Sequence, residues 1–264
     1  MKFYKYCGAG NDFILLENFD GALAPEVLPE LAKRLCRLHF SVGADGLIVL
    51  EPAARDGDCA MRFLNSDGSF AEMCGNGARC VSRHCFEHGL SRQTARIETP
   101  AGLVEGWQAG GNQYRIRLNT PSVVKPDFCA AGTRCDYLVL GENGIPHAVV
   151  LTSLSENRAI LREFARKIRH APELPRGANV NLCAVTGENE VRLLTFERGV
   201  EDFTLACGTG TGATVAALTG RGLVSGTATR VQTDGGVLTV DVVQGELYLT
   251  GPADLSFTGE LAPE

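Results

Sequence analysis

Apolar positions along this chain switch between two periods, and the same switching occurs twice. Apolar runs at Phe13–Leu16 and Ala148–Leu151 predict buried strands. Each is followed by apolar residues three and four apart, the spacing of one helix face. In the first case these are Leu28, Leu31, Leu35 and Leu38, with Pro25 near the start; in the second they are Ile160, Leu161, Phe164 and Ile168, with Pro172 as the stop. Buried strands are predicted again at Leu47–Leu50 and Leu182–Val185. The segments MRFLNSDGSFAEMCGNGARCVSRHCFEHG and LLTFERGVEDFTLACGTGTGATVAALTGRG then each read as a strand entering a glycine-rich turn and a second helix. Short alternating strands follow, among them Tyr114–Leu118 and Leu247–Thr250.

Shifted by 133 or 134 residues, the sequence lies over itself. Gly10 meets Gly144. Leu28, Leu31 and Leu35 meet Leu161, Phe164 and Ile168. Gly43-Ala44-Asp45 meets Gly177-Ala178-Asn179, Phe63 meets Phe196, and Cys74-Gly75 meets Cys207-Gly208. Thr99-Pro100-Ala101-Gly102 meets Thr233-Asp234-Gly235-Gly236. One match is chance; the ordered series implies two copies of one unit of about 130 residues, an ordinary domain size. Strands outnumber helices without strict βαβ alternation. The expected fold is α+β: two pseudo-symmetric lobes from an internal duplication, each a strand-rich, barrel-like sheet around a central helix, with the active site in the interlobe cleft. The expected boundaries are 1–118 for the N-terminal lobe, completed by the last strand at about 253–264, and 119–252 for the C-terminal lobe.

Composition narrows the function classes. Of 264 residues, 44% are hydrophobic and 21% charged, enough apolar material for a core and too much for wholesale disorder. The net charge of −6, without a basic run, argues against nucleic acid and anionic membrane as partners. No apolar run approaches a membrane span, and no signal peptide precedes Asp12. The chain carries ten cysteines, Cys7, Cys36, Cys59, Cys74, Cys80, Cys85, Cys129, Cys135, Cys183 and Cys207. With nothing to suggest export, reduced thiols in the cytoplasm are expected, most of them acting as small buried hydrophobes. No C-x-x-C pair exists, so no metal site is expected from cysteine spacing.

Cys74 and Cys207 occupy equivalent places, each followed by Gly-x-Gly. A small-residue turn opening a helix presents unpaired N–H groups and the positive end of the helix dipole. Such a turn binds an anion such as a carboxylate, and the same field lowers a thiol pKa toward thiolate. A lone Cys-Gly-x-Gly is more often a buried cysteine beside a tight cap. Two symmetric copies favour chemistry. One thiolate removes a proton from one face of a carbon, the opposing thiol delivers a proton to the other face, and configuration inverts without a cofactor. No phosphate-binding loop is present, and Gly75-x-Gly77 lacks the rest of a dinucleotide fingerprint.

GNGARC after NSDGS, ERG before ACGTG, and CGAGNDF, GADGL, TPAG, PHAV and GANVN together resemble the diaminopimelate epimerase family over nearly the whole chain. The resemblance implies a cofactor-independent isomerase that interconverts LL- and meso-diaminopimelate for lysine and peptidoglycan precursor synthesis. It implies Cys74 and Cys207 as the acid/base pair. It places Asn11, Asn65, Asn179 and Arg198 around the substrate, Gly75-Asn76 and Gly208-Thr209 on the reacting carboxylate, and His147 and Glu197 beside the two cysteines. Residue chemistry agrees: Arg198 is suited to a bidentate grip on a distal carboxylate, and the asparagines to carboxylate or ammonium. Taken singly, Asn65 reads as a turn residue, Arg198 as a surface ion pair and His147 as a structural histidine. The expected partners are a small amino-acid substrate and, for assembly, a second copy in a homodimer.

Three positions depart from the family pattern. Ile145 stands where many members carry asparagine, Gly46 where some carry glutamine, and Glu201 where glycine is usual. Ile145 leaves open a racemase of another amino acid, such as histidine, on the same scaffold. A non-catalytic or redox module built on Cys74 and Cys207 is the reading from outside the enzyme class.

Overall fold

In the computed structural model, which describes residues 1–142 and 144–262, the chain runs β1 (Lys2–Gly8), β2 (Asn11–Glu17), α1 (Leu28–Leu35), β3 (Gly46–Glu51), β4 (Cys59–Asn65), β5 (Phe70–Ala71), α2 (Gly75–Glu87), β6 (Ala95–Thr99), β7 (Gly102–Gln108) and β8 (Gln113–Leu118). It continues through β9 (Pro121–Ala130), β10 (Thr133–Leu140), β11 (Pro146–Leu151), α3 (Arg158–Arg169), β12 (Asn179–Gly187), β13 (Glu190–Phe196), β14 (Phe203–Thr204) and α4 (Gly208–Gly220). The last elements are β15 (Thr229–Thr233), β16 (Gly236–Val243), β17 (Glu246–Pro252) and β18 (Asp254–Glu260). Two compact units result, Met1–Ile116 with Gly251–Glu264, and Arg117–Thr250. The expected lobe edges at 118 and 253 lie two residues away, because β8 and β17 each run through a division point. Residues 263–264 of the expected last strand lie outside the described residues, and β18 ends at Glu260.

The first unit orders its strands β18-β1-β2-β3-β4-β6-β7-β8, with β2–β3 and β4–β6 parallel and β5 a short addition to β4. The second orders its strands β9-β10-β11-β12-β13-β15-β16-β17, with β11–β12 and β13–β15 parallel and β14 the short addition to β13. The two lists match strand for strand, so the repeat seen in sequence is a repeat of topology.

Each sheet wraps one helix. Helix α2 packs against β1, β2, β6 and β7, and α4 against β10, β11, β12 and β16. Burial from several sides explains their composition: GTGTGATVAALTG has no polar face because nine of its thirteen positions are buried. Helices α1 and α3 are amphipathic covers with a single buried stripe. Leu28, Ala32 and Leu35 line α1; Leu161, Ala165 and Ile168 line α3. Two expected core positions are solvent-facing instead. Leu38 is 65% exposed, because α1 ends at Leu35 and the following turn closes through Gly43 N to Leu35 O and Ala44 N to Cys36 O. Ile160 is 57% exposed, because the 161-165-168 stripe fixes the buried face of α3 one residue along. No helix among the described residues is long and apolar enough to cross a membrane.

Candidate active site

The parallel pairing of β2 with β3 and the antiparallel return of β4 bring Asn11, Asp45 and Asn65 to one end of the first sheet. Cys74 sits at the same end as the N-cap of α2, in extended backbone. Its Sγ is 3.7 Å from Asn11 Oδ1, which also accepts from Asn76 Nδ2 at 3.4 Å. The Asn11 amide is oriented from its other side, where Nδ2 donates to Asp45 Oδ2 at 2.7 Å. Asn76 is buried, and its Oδ1 accepts from Arg79 Nη2 at 2.9 Å. Arg79 is fully buried one turn further along α2. Burial lowers its pKa, while Cys80 and Cys74 favour its charged form, so a guanidinium stands behind the Cys74 turn.

Asn65 closes a tight turn. Its N–H donates to Ser69 O and its Nδ2 to Ser69 Oγ, and Asp67 caps Ser69. Its side chain is thus engaged locally. Cross-strand from it lies Gly46, where a Cβ would run into the Phe63 ring and the Leu64 carbonyl. That contact leaves no room for a side chain at this position.

The second unit repeats the arrangement with different contacts. His147 and Asn179 lie side by side on parallel β11 and β12, and Glu197 and Arg198 follow the end of β13. Cys207 caps α4, and its buried Sγ accepts from Gly210 N at 3.4 Å. Thr209 Oγ1 lies at 3.5 Å and Asn179 Nδ2 at 3.8 Å. Gly210 must lack a Cβ, because Asn181 Oδ1 occupies that space. Asn179 Oδ1 accepts from Arg198 N at 2.9 Å, so one amide joins the Arg198 loop to the thiol. The Arg198 guanidinium donates from Nη1 to Arg176 O at 3.0 Å.

Burial and the neighbouring Glu197 carboxylate push the Cys207 thiol far up, despite the lowering bonds from Thr209 and Gly210 N. The expectation of a thiolate poised by the helix terminus is therefore corrected at Cys207: desolvation and the Glu197 charge outweigh the dipole. Burial raises the Glu197 carboxyl as well, and Thr204 Oγ1 donates to its Oε1 at 2.6 Å.

His147 is fully buried, which pushes its pKa down to about 3. Asn181 Oδ1 accepts from Thr195 Oγ1 at 3.0 Å, so the Asn181 amide nitrogen faces His147 Nδ1 at 3.3 Å. The ring is therefore neutral with its proton on Nε2, and Nε2 has no hydrogen-bond partner among the described residues. Asp45, Arg79, Asn181, Thr195 and Thr204 were not identified from sequence. Asp45, Arg79 and Asn181 lie within the GADGL, GNGARC and GANVN segments and the repeat offset aligns Asp45 with Asn179, whereas Thr195 and Thr204 carry no such signal.

Glu201 has a left-handed backbone, φ +57°, a conformation that favours glycine. Its carboxylate accepts from Arg169 Nη2 at 2.9 Å and Gly199 N at 3.0 Å, and lies 3.1 Å from His170 Nε2. Ile145, just before β11, is 39% exposed.

The chain as a whole is similar to known proteins. The family model described as diaminopimelate epimerase matches residues 3–124 and 140–256. A protein of Archaeoglobus fulgidus named diaminopimelate epimerase is 37% identical over 274 aligned positions, covering 99% of this chain and 96% of its own. One of Aquifex aeolicus with the same name is 35% identical, covering 100% and 99%. Among solved structures, a probable proline racemase from Agrobacterium radiobacter K84 superposes with a TM-score of 0.71 at 20% identity, covering 100% of this chain and 93% of that one. At that identity the likeness is one of fold.

Proposed function

This chain belongs to the diaminopimelate epimerase family, and from that premise we propose that it interconverts LL- and meso-2,6-diaminopimelate, with Cys74 and Cys207 as the acid/base pair. One observation carries the reading: in topologically equivalent units, the same residue type caps the first turn of the wrapped helix. An α-proton next to a carboxylate is weakly acidic, so its removal needs the carboxylate held and the developing charge stabilised. The first-turn N–H groups at Gly75-Asn76 and Gly208-Thr209 have no partner within their helices and serve that purpose.

In one direction Glu197 takes the proton of the Cys207 thiol, and the resulting thiolate takes the α-proton from one face. Cys74, whose thiol proton points at Asn11 Oδ1, delivers its proton to the other face. In the reverse direction Cys74 is the base, favoured as a thiolate by the Arg79 guanidinium. His147 supports the site as a neutral N–H donor. Asn11 orients Cys74, and Asn179 orients Cys207. Arg198, with Asn65 and Asn179, reads the distal amino-acid head. The reaction needs no electron sink or cofactor. Lysine and peptidoglycan precursor synthesis, cytoplasmic residence and a homodimer belong to the same reading, the last checked by sedimentation.

The test is incubation of the purified chain with LL-diaminopimelate and a panel of amino acids, histidine included, in deuterated water. Deuterium entering one α-carbon of diaminopimelate together with epimerisation supports the reading. Exchange into histidine alone makes the chain a racemase of that amino acid, for which the exposed Ile145 is the relevant departure. No exchange into any of them reduces it to a binding module.

A further inference from the structure

The strand and helix that meet at Cys74 meet again at their far ends. Strand β2 begins with Asn11, beside Cys74, and ends with Glu17. Helix α2 begins after Cys74, and carries His84 on its last turn and His88 at its C-cap. Glu17 Oε1 lies 2.8 Å from His84 Nε2, and the two imidazole rings stack with centroids 4.0 Å apart and planes 20° off parallel. One ligand atom from each of Glu17, His84 and His88 lies within 4.8 Å of the others, and no other such group of three occurs among the described residues. We propose that Glu17, His84 and His88 form a binding site for a first-row divalent cation, zinc foremost, that ties β2 to α2 at the end away from Cys74.

Three features favour a metal over a hydrogen-bonded cluster. The first is donor set: two imidazoles and one carboxylate suit zinc and its neighbours, and leave a fourth position for water. The second is tautomer control. His88 Nδ1 lies 3.0 Å from His84 O, a carbonyl that accepts only a proton, so the His88 lone pair is on Nε2. His84 Nδ1 lies 3.2 Å from Tyr6 Oη. A shift of the His84 proton from Nε2 to Nδ1, where the Tyr6 oxygen accepts it, frees Nε2 for the metal with no net proton released. Metal-bound histidines are oriented by bonds of this kind. The third is access: His84 is buried, while Glu17 and His88 are exposed and give a path for entry. Tetrahedral zinc with bonds of about 2.0–2.1 Å sets its ligands about 3.3 Å apart. The spacing, 4.8 Å at most, therefore closes by up to about 1.5 Å, and the exposed His88 ring turns out of its stack on His84 as it does so.

The experiment uses the full chain, stripped with chelator and titrated with Zn2+ against a chromophoric competitor, and in parallel with Co2+ read by absorption. The expected result is one equivalent of zinc, a Tm that rises on zinc addition, and a cobalt spectrum with ligand-field bands but no thiolate charge transfer. Glu17→Gln and His88→Ala, both at exposed positions, are expected to weaken zinc at least tenfold and remove the Tm rise. Their metal-free Tm and circular dichroism serve as the control for folding. Absence of zinc binding by the wild-type chain overturns the proposal. So does binding unchanged in both variants, or a cobalt spectrum dominated by thiolate that Cys74→Ala or Cys207→Ala removes. Epimerase activity plays no part in the readout, so this inference and the proposed function fail separately.

Discussion

The carboxylate of Glu197 neighbours the thiol of Cys207 closely enough to push it up, and burial raises the pKa of both groups. A buried acid that pays a stability penalty for being ionised is expected where the ionised form has a task. Glu197→Gln keeps an acceptor for Thr204 and Cys207 but cannot take a proton. Its kcat is expected to fall by about 10²–10⁴, the usual worth of a positioned general base. The sign of the stability change follows from linkage. A carboxyl raised above 4.5 on folding contributes stability that is present below pH 4.5 and lost as pH rises through the folded-state value. The variant should therefore melt above wild type at pH 8, and the gap should close toward pH 4.5. A variant that melts lower at every pH, with activity intact, would show that Glu197 is only structural.

The two cysteines are equivalent in topology but not in surroundings: Cys74 Sγ turns to Asn11, and Cys207 Sγ turns back over its own helix. Each serves one face of the reacting carbon in the proposed mechanism. Cys74→Ala and Cys207→Ala should each abolish epimerisation, while changes at Cys36, Cys129 or Cys135 should leave the chemistry alone. Cys→Ser at one site should cut epimerisation severely yet leave elimination from a halogenated substrate, which needs one base only. Full epimerase activity in either alanine variant would rule out two-base catalysis.

The duplication, the wrapped helices and the pair of caps were legible because each is a local pattern repeated at a fixed offset. What sequence concealed was anything decided by desolvation or by long-range contact. At Cys207 burial and the Glu197 charge act on the sulfur with greater weight than the helix dipole that the Cys-Gly-x-Gly pattern announces. The tautomer of His147 rests on Asn181, whose orientation is set in turn by Thr195 on the next strand, a chain of contacts without a sequence signature. Leu38 and Ile160 fit a helical spacing but lie off the buried stripe, since spacing alone does not say where a helix stops or which arc faces inward.

The loop carrying Glu197 and Arg198 is fastened by a residue in a costly conformation. Glu201 has positive φ, and its carboxylate bonds Arg169 and Gly199 N in return. Glu201→Ala loses the bonds and keeps the strain; Glu201→Gly loses the bonds and the strain together. The alanine variant should therefore be the less stable by roughly 1 kcal/mol, the cost of a side chain in left-handed backbone. Both should raise KM more than they lower kcat, because the loop positions Arg198. Equal stability of the two variants in urea unfolding would mean that the strain is absent in solution.

Buried neutral histidines set the acid limit of the fold. Burial depresses His147 to about 3, and burial with a neighbouring imidazole depresses His84 to about 4. A depressed group contributes stability that is complete above the unfolded value of 6.5 and is lost as pH falls through the folded-state value. Between about pH 6 and 4 each histidine should steepen the loss by up to about 1.4 kcal/mol per pH unit. His147→Gln is expected to be less stable at pH 7, where the Asn181 contact is perturbed, but to show a shallower decline on acidification. Parallel slopes for wild type and variant in denaturant titrations from pH 7 to 4 would contradict the neutral assignment.

Arg198 leaves β13 beside the Asn179 amide that reaches Cys207, yet among the described residues no carboxylate pairs with its guanidinium. A planar fork held by one backbone carbonyl, at the edge of an acid/base site, is suited to the distal carboxylate of a two-headed substrate. Removing one partner of a desolvated charge pair costs about 3–5 kcal/mol, because the other charge is left uncompensated. Arg198→Ala should thus lower kcat/KM for diaminopimelate by two to four orders of magnitude, by about tenfold for each 1.4 kcal/mol. Arg198→Lys should recover little, since an ammonium offers a point charge in place of two parallel N–H bonds. Measuring kcat/KM in parallel for diaminopimelate and for amino acids with one carboxylate separates the alternatives. If wild type prefers a mono-acid, or if Arg198→Ala leaves diaminopimelate turnover intact, the substrate assignment is wrong. The two-thiol mechanism survives that outcome, because the proposal puts Cys74 and Cys207 at the reacting carbon and Arg198 at the far end of the molecule.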